Sequence, residues 1–434
     1  MLRDEGLGAR GWGLGAGRGP DLVDSDDPER TLLFLAKATS RCARGLVPDP
    51  CCMRIALVHE WLASIYGSEQ VFLALAELFP QADLFAVVDA LKPADRARLG
   101  RPVKTTWLQG WPLARSRFRA FLPWMPRAIE ALDLSGYDLV ISSSHCVAKG
   151  VVVGPDTLHI SYIHSPMRYA WDAGPRYLAG VPWLMRPLVR GQLDRLRDWD
   201  ALSAARPHAL IANSRFIARR IRACWGREAA AVIPPPVDCE RFPVGPGGAG
   251  FVTASRFVPY KRLDVLVEAF RHLPNQHLTG IGEGPELARC RSLAGPNVTL
   301  PGFVPGDDLA KRLGSARAFL FAAEEDFGIA PVEAMACGTP VIAYGRGGIL
   351  DSVIDGQTGR FFARQDPAAV AAAIEQFLNE EARFDRTAIA AHAATFARHR
   401  FQQRMAEFIR ARWDSFTATL GRPAPTLPQP VIGR

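Results

Sequence analysis

Two glutamates, Glu325 and Glu333, bracket the stretch Asp326-Phe327-Gly328-Ile329-Ala330-Pro331-Val332, and Ala334-Met335-Ala336-Cys337-Gly338-Thr339-Pro340 follows. The run reads as a strand-exit loop turning into a helix of two turns. Pro331 suits a first helical position, where a backbone N–H has no partner in any case. Gly338 and Pro340 stop the helix. The amides of Phe327, Gly328 and Ile329 then lie near a helix N-terminus, where anionic phosphate is favoured. A carboxylate on each side of such a cradle can hold the hydroxyls of a sugar and of a ribose, which fits a sugar nucleotide. Taken alone, the pair fits a plainer account equally well. Glu333 can complement the helix macrodipole, and Glu325 can be a solvated loop acid.

The elements that must position these residues follow from length and pattern. At 434 residues the chain exceeds one typical core, so two domains are expected. Hydrophobic content of 48% and charged content of 22% are those of a soluble globular protein. No apolar run approaches the roughly 18 to 20 residues that span a bilayer. The first thirty residues lack the apolar core of a secretory signal. The cysteines at 42, 51, 52, 146, 224, 239, 290 and 337 have no metal-ligand spacing and read as free thiols of a reducing cytoplasm.

Residues 1–52 differ from the rest: Met1–Pro20 is rich in Gly and Arg, Asp21–Arg30 is acidic, and only Thr31–Thr39 suits a short helix. This segment is expected to be a disordered extension, with Met53 as the natural start. From Met53 onward short apolar runs alternate with amphipathic stretches, the βαβ signature of a parallel sheet. Strands are expected at 54–59, 84–88, 138–143, 159–163, 208–212 and 231–233, with helices at 68–79, at 188–206 and after Asn213-Ser214. Pro234-Pro235-Pro236 breaks the pattern, and Pro243 to Gly250 reads as a linker. A second alternation gives strands at 251–255, 277–281, 297–300, 318–322 and 340–343. Its helices fall at 262–273, 307–315, 331–337 and 366–378, and Arg404 to Phe416 forms a last amphipathic helix. The division is therefore 53–243 for a first domain and 250–400 for a second. Residues 401–418 form a helix returning to the first domain, and 419–434 a flexible tail. Two doubly wound halves face a cleft, and ligands of such sheets bind beyond the carboxyl ends of the strands.

Four stretches in register resemble one family. They are Ile233-Pro234-Pro235-Pro236-Val237-Asp238, Ser255-Arg256-Phe257-Val258-Pro259-Tyr260-Lys261-Arg262, Gly282-Glu283-Gly284-Pro285, and Gly328 to Pro340. Together they are similar to the retaining glycosyltransferases of family 4, over residues 53–416. The resemblance implies an α/β fold of GT-B type, two Rossmann-like doubly wound domains around a cleft. It assigns Arg256 and Lys261 to the pyrophosphate of a nucleotide-sugar donor, where they would offset charge on the leaving group. An Arg suits forked oxygen contacts and a Lys acts as a point charge. Gly282 and Gly284 would line the nucleotide pocket by letting the backbone come close. Glu325 would contact the donor sugar and Glu333 the ribose, with Phe327, Gly328 and Ile329 at the phosphates. Gly67, before Ser68-Glu69, matches a turn at which relatives carry Gly-Gly; here Tyr66 holds the first position, which puts the close approach at that turn in question.

His164, in Tyr162-Ile163-His164-Ser165-Pro166-Met167-Arg168-Tyr169-Ala170-Trp171-Asp172, sits at a strand end, and the stretch resembles bacterial mannosyltransferases of O-antigen and exopolysaccharide synthesis. The matching His is implied to contact the donor sugar or its reacting centre. Asp198-Trp199-Asp200 matches the D-x-D of metal-dependent glycosyltransferases, but it lies in a helical pattern and reads as a chance match. No metal and no other cofactor is therefore expected. Mannose would pass from GDP-mannose to a lipid-linked saccharide at the inner face of the cytoplasmic membrane. The alternatives are the same chemistry with a UDP-sugar and a non-catalytic sugar-nucleotide-binding module. A Rossmann dehydrogenase is disfavoured because His59-Glu60-Trp61 follows the first strand in place of G-x-G-x-x-G.

The net charge of +8 is unevenly placed. Residues 101–127 hold Arg101, Lys104, Arg115, Arg117, Arg119 and Arg127 with no acid, interleaved with Trp107, Trp111, Phe118, Phe121 and Trp124. Such a segment suits peripheral contact with an anionic membrane. No nucleic-acid partner is expected.

Overall fold

The structure is a computed structural model that describes residues 53–172, 181–420 and 425–433. The expected extension 1–52, with its helix at Thr31–Thr39, lies outside the described residues, as do Cys42, Cys51 and Cys52. The described cysteines, Cys146, Cys224, Cys239, Cys290 and Cys337, are free thiols.

Two parallel sheets organise the described chain. The first holds β1 Ile55–Leu62, β2 Asp83–Asp89, β3 Val103–Thr105, β4 Leu139–Ser144, β5 Leu158–Ile163, β6 Ala209–Ala212 and β7 Ala231–Val232. Their order is β3-β2-β1-β4-β5-β6-β7. The second holds β8 Phe251–Ala254, β9 Leu278–Ile281, β10 Val298–Gly302, β11 Ala318–Phe321, β12 Val341–Tyr344 and β13 Gly359–Phe362, in the order β10-β9-β8-β11-β12-β13. In each sheet the order reverses beside the first strand, the place where a doubly wound fold opens a crevice.

The central strands are continuous apolar runs because both their faces are covered. Along β1, Ile55 and Leu57 enter one core while Ala56 and Val58 enter the other. A single core serves the second half, with Phe251, Phe270, Phe319 and Phe377 among its fully buried members. The first core is closed by two helices: α1 Ser68–Leu78 and the long helix at Arg398–Thr417. The latter contributes Phe401, Met405, Ile409 and Trp413, and Arg398 pairs with Glu77 of α1 at 3.1 Å. The chain thus crosses between halves twice, and the crossings lie side by side. Val237 forms a parallel bridge with Ala397, and its amide donates to Phe396 O at 2.9 Å.

Three expectations need correction. The edge strands Val103–Thr105 and Gly359–Phe362 are outside the expected set, because neither is long enough to show an apolar run or an alternation. Pro331 is the third residue of its helix, since the turn begins at Ile329, but an unpaired N–H is equally absent there. The tail expected to be flexible at 419–434 is tied down where it is described. Val431 N donates to Leu78 O at 3.0 Å and Gly433 N to Gln402 Oε1 at 2.9 Å, so an extended segment satisfies the end of α1.

Candidate active site

The cleft edge of the second half is built by three loops. The first leaves β8 and carries Arg256, Tyr260 and Lys261; the second leaves β11 and carries Glu325 and Asp326; the third leaves β12 with Gly347-Gly348. The second and third loops are joined tightly. Gly348 N donates to Glu325 O at 2.7 Å, and a Cβ on Gly348 would lie 2.1 Å from Asp326 O. Only glycine fits there. This device was missed in the sequence, where Gly347-Gly348 was an unremarked dipeptide after a strand.

Lys261 Nζ meets Glu325 Oε1 directly, in the shadow of the Tyr260 and Phe321 rings. Burial and then the nearby Arg168 pull the Lys261 ammonium down to about 8, with Asp326 opposing them. A cation that is costly to hold in this place gains from an incoming anion. Arg256, by contrast, is exposed at the strand exit. Helix α2, Ile329–Ala336, begins from Gly328 in a left-handed conformation, φ 90°, which turns the loop into the helix. Phe327 is buried against Phe396 and serves the core. Glu333 lies in a crevice beside the 239–241 turn. Burial raises its carboxyl to about 7, Arg241 opposing and Asp238 adding to the effect.

Gly282 and Gly284 stand against the loop that leaves β8. Their φ values of 135° and 153° favour glycine, but a Cβ at Gly282 would meet Ser255 O at 1.9 Å and one at Gly284 would meet Phe257 O at 2.2 Å. The close approach is to the loop that carries Arg256, and these glycines position that loop. Gly67 also has a left-handed φ of 62°, with open space where a Cβ would stand, and Tyr66 beside it is exposed.

Across the cleft, His164 follows β5. Its Nε2 hydrogen-bonds Ser143 Oγ at 2.9 Å, and its carbonyl accepts from Asn213 Nδ2 at 3.1 Å. Burial, then His145 and His59, push its pKa well below the usual value, so the ring is neutral. Four residues on, Arg168 reaches over to Asp326 at 2.5 Å, and Ser214 Oγ donates to Asp326 O at 2.5 Å. Arg215 adds a third link, Nε to Asp351 Oδ1 at 2.7 Å. The strand-end loops of the first half therefore touch the loop between the two glutamates. Arg168, Asp326 and the Arg215–Asp351 pair were not singled out as site residues, and only a strand-end position marked them.

The D-x-D stretch is accounted for by packing. Asp200 is fully buried and accepts from Lys149 Nζ at 2.5 Å, Trp171 Nε1 at 2.7 Å and Trp225 Nε1 at 2.8 Å, whereas Asp198 is exposed. In the segment 101–127, two of the cations are structural: Arg101 binds the carbonyls of Ala76, Phe79, Pro80 and Ala82, and Lys104 pairs with Asp83 at 3.1 Å. Arg115, Arg117, Arg119 and Arg127 remain exposed, around a surface cluster in which Trp107, Trp111 and Trp124 touch one another through Trp111. Among the described residues no helix is long and apolar enough to cross a membrane.

Two doubly wound sheets whose strand-end loops meet across a cleft define the GT-B architecture. Solved structures share it: HepE of Anabaena in complex with UDP, 18% identical with a TM-score of 0.62, covers 83% of this chain and 100% of its own. Sucrose-phosphate synthase of Thermosynechococcus elongatus, 21% identical with a TM-score of 0.61, covers 84% and 100%. A family model described as Glycosyltransferase Family 4 matches residues 65–241, and one described as Glycosyl transferases group 1 matches residues 245–394. The chain belongs to the family 4 glycosyltransferases.

Curated relatives include a GDP-mannose-dependent alpha-(1-6)-phosphatidylinositol monomannoside mannosyltransferase of Mycolicibacterium smegmatis. It is 29% identical over 235 residues, 47% of this chain and 59% of the relative. A D-inositol 3-phosphate glycosyltransferase of Geodermatophilus obscurus is 32% identical over 202 residues, 39% of this chain and 45% of the relative.

Proposed function

We propose that the chain transfers a sugar from a nucleotide-sugar donor with retention of configuration, and that the transfer is of mannose from GDP-mannose to a lipid-linked saccharide. The carrying observation is the Lys261–Glu325 contact at the cleft edge, with Arg256 unengaged beside it and the neutral His164 on the opposite wall. In this reading the donor diphosphate draws Lys261 from Glu325, and Glu325 is freed to hold the sugar. Arg256 and the start of α2 share the phosphate charge, and Glu333 holds the ribose. His164 faces the sugar. The bond from the sugar's anomeric carbon to the diphosphate breaks, and the acceptor oxygen bonds to the same carbon on the same face. The acceptor proton leaves with the departing phosphate oxygen. No side chain has to become a nucleophile, so positioning and fixed charge supply the acceleration.

The mannose and GDP parts rest on the printed activity of the Mycolicibacterium relative and on the 162–172 stretch. Contact with an anionic membrane rests on the exposed Trp107-Trp111-Trp124 cluster and its flanking arginines. The test is calorimetric titration of GDP-mannose, UDP-glucose and UDP-galactose, followed by product mass for each donor that binds. GDP-mannose is expected to bind most tightly. Preference for a UDP-sugar removes the mannose assignment, and binding of none removes the transferase reading.

A further inference from the structure

The cleft end of the first sheet holds a second charged cluster, beside His164. Glu60, in β1, is fully buried, and its Oε1 is saturated. It accepts from Ser144 Oγ at 2.9 Å and from the amides of His145 at 2.8 Å, Cys146 at 2.8 Å and Ala148 at 3.2 Å. So many donors fix the group as a carboxylate. Its Oε2 lies 3.1 Å from Nδ1 of His145, whose side chain is 25% exposed. The ring of His145 stands edge-on to Trp61 at 4.8 Å and 6.3 Å from His164. Trp61 in turn packs on Phe118 at 5.2 Å, and the Arg119 guanidinium lies 4.6 Å over the Phe118 ring. Arg119 is exposed, and none of the ion pairs among the described residues involves it.

The charged and titratable groups facing His145 are Glu60 and His59 of β1, Glu69 of α1, Arg119 of the 118–124 turn and His164 after β5. Burial works against a charged His145, and the adjoining Glu60 outweighs it, so this imidazole holds its proton more firmly than a free one. Its neighbours go the other way: burial takes His59 down to about 4 and leaves His164 neutral. Burial also raises Glu69 to about 7, which thins the negative charge opposite. The result is an imidazole held by a buried carboxylate and, beyond Trp61 and Phe118, an exposed guanidinium outside every ion pair of the described residues.

We propose that His145 and Arg119 form a subsite for a phosphate monoester or diester on the acceptor, positioned where an acceptor entering from the membrane-facing Trp cluster would present it. The subsite rests on the transferase reading above and deepens it by naming the acceptor's anionic group. A phosphate oxygen takes a hydrogen bond from the outward ring nitrogen of His145, while the planar fork of Arg119 takes two more. An uncharged saccharide acceptor gives no reason for a buried carboxylate to favour the protonated form of an imidazole at this point.

The experiment uses the full chain saturated with whichever of GDP or UDP it binds, so that the donor phosphate site is filled. Hexyl phosphate and inorganic phosphate are titrated by calorimetry into the wild type, His145→Gln and Arg119→Gln. Both probes should bind the wild type, hexyl phosphate more tightly. Each variant should weaken hexyl phosphate by about tenfold or more, the loss typical of a charged hydrogen bond, and leave nucleotide affinity unchanged. Arg119→Gln, on an exposed side chain, keeps the test valid if His145→Gln folds poorly. Unchanged hexyl phosphate binding in Arg119→Gln and a folded His145→Gln overturns the subsite, as does stoichiometric zinc uptake that His145→Gln abolishes. Equal affinity for inorganic and hexyl phosphate overturns the lipid-linked source. Failure to bind any nucleotide defeats the transferase reading instead, and is seen before either phosphate is added.

Discussion

The two edges of the cleft handle charge in opposite ways. On the second-half edge the cation and carboxylate, Lys261 and Glu325, neutralise each other on loops held together by backbone contacts that only glycine allows. On the first-half edge Glu60 is fully buried within a strand and its partner His145 stands at the next strand's end. One pair can be parted by a ligand at little structural cost; the other cannot move without unsatisfying four hydrogen bonds. A site for a strongly charged, departing diphosphate gains from ions that are already present and free to change partners. A site that only orients a neighbour gains from rigidity.

That contrast is broken most sharply by removing one member from each edge. Lys261→Ala is expected to lower kcat/KM by about 10² to 10³, the range for deleting a donor that stabilises transition-state charge. Its melting temperature should fall less than that of a Glu60 variant, because the Glu325 side chain left behind is 16% exposed and lies on a cleft-edge loop. Glu60→Gln is expected to do the reverse, lowering the melting temperature because a buried acceptor loses part of its charge-assisted bonding. Steady-state kinetics and thermal denaturation on both variants check the pair. Equal destabilisation by the two substitutions would end the distinction.

Next in size is the hinge between the edges. Gly348→Ala must displace the Asp326 carbonyl, which a Cβ would approach to 2.1 Å, and with it the links from Arg168 and Ser214. Activity should fall by about tenfold or more, in line with a misplacement near 1 Å. Arg168→Ala removes only the ion pair of half-exposed partners and should cost less, since such pairs contribute little in water. If Arg168→Ala proves the more damaging, Arg168 touches the donor itself and is more than a tether.

The two edges also differ in how far they could be read from the chain. The second-half edge was legible because its parts are local. Arg256 and Lys261 lie on one strand exit and Glu325 and Glu333 on one loop and helix, so spacing alone carries information about geometry. What spacing hid was the partner of each close approach. Gly282 and Gly284 look like a ligand cradle, yet the atoms they admit belong to Ser255 and Phe257. The first-half edge is assembled from β1, β4 and β5, and Glu60 meets the amides of 145–148 only through the register of β1 against β4. No pattern within either strand announces that meeting. For the same reason Asp200 looked like half of a motif until Lys149, far away in sequence, was seen to neutralise it. The fold itself was readable because parallel strands buried on both faces leave long apolar runs. The edge strand at Gly359–Phe362 lacks such a run and was missed.

The smallest effect is on pH, and it separates the edges again. If Lys261 meets the donor diphosphate as proposed, binding needs it charged, and its pKa near 8 means that the ammonium is lost as pH rises through that value. A bound diphosphate favours the charged form, so above pH 8 binding takes up a proton and the affinity falls, by at most about fivefold between pH 8 and 9. Glu333 works from the other side. Its carboxyl, raised to about 7, is protonated as pH falls through 7 and would then give up acceptor strength toward the ribose it is proposed to hold. Donor affinity should therefore peak between about 7 and 8 and decline gently on both sides. Glu333→Gln should flatten the acid limb alone, and Lys261→Ala the basic limb alone. Binding of hexyl phosphate at the acceptor edge should rise only until the monoester gains its second negative charge near pH 6, and weaken above that as His145 loses its proton. Calorimetry of the nucleotide and of hexyl phosphate between pH 6 and 9 reads both curves, and a shared profile would mean that one group controls the two edges.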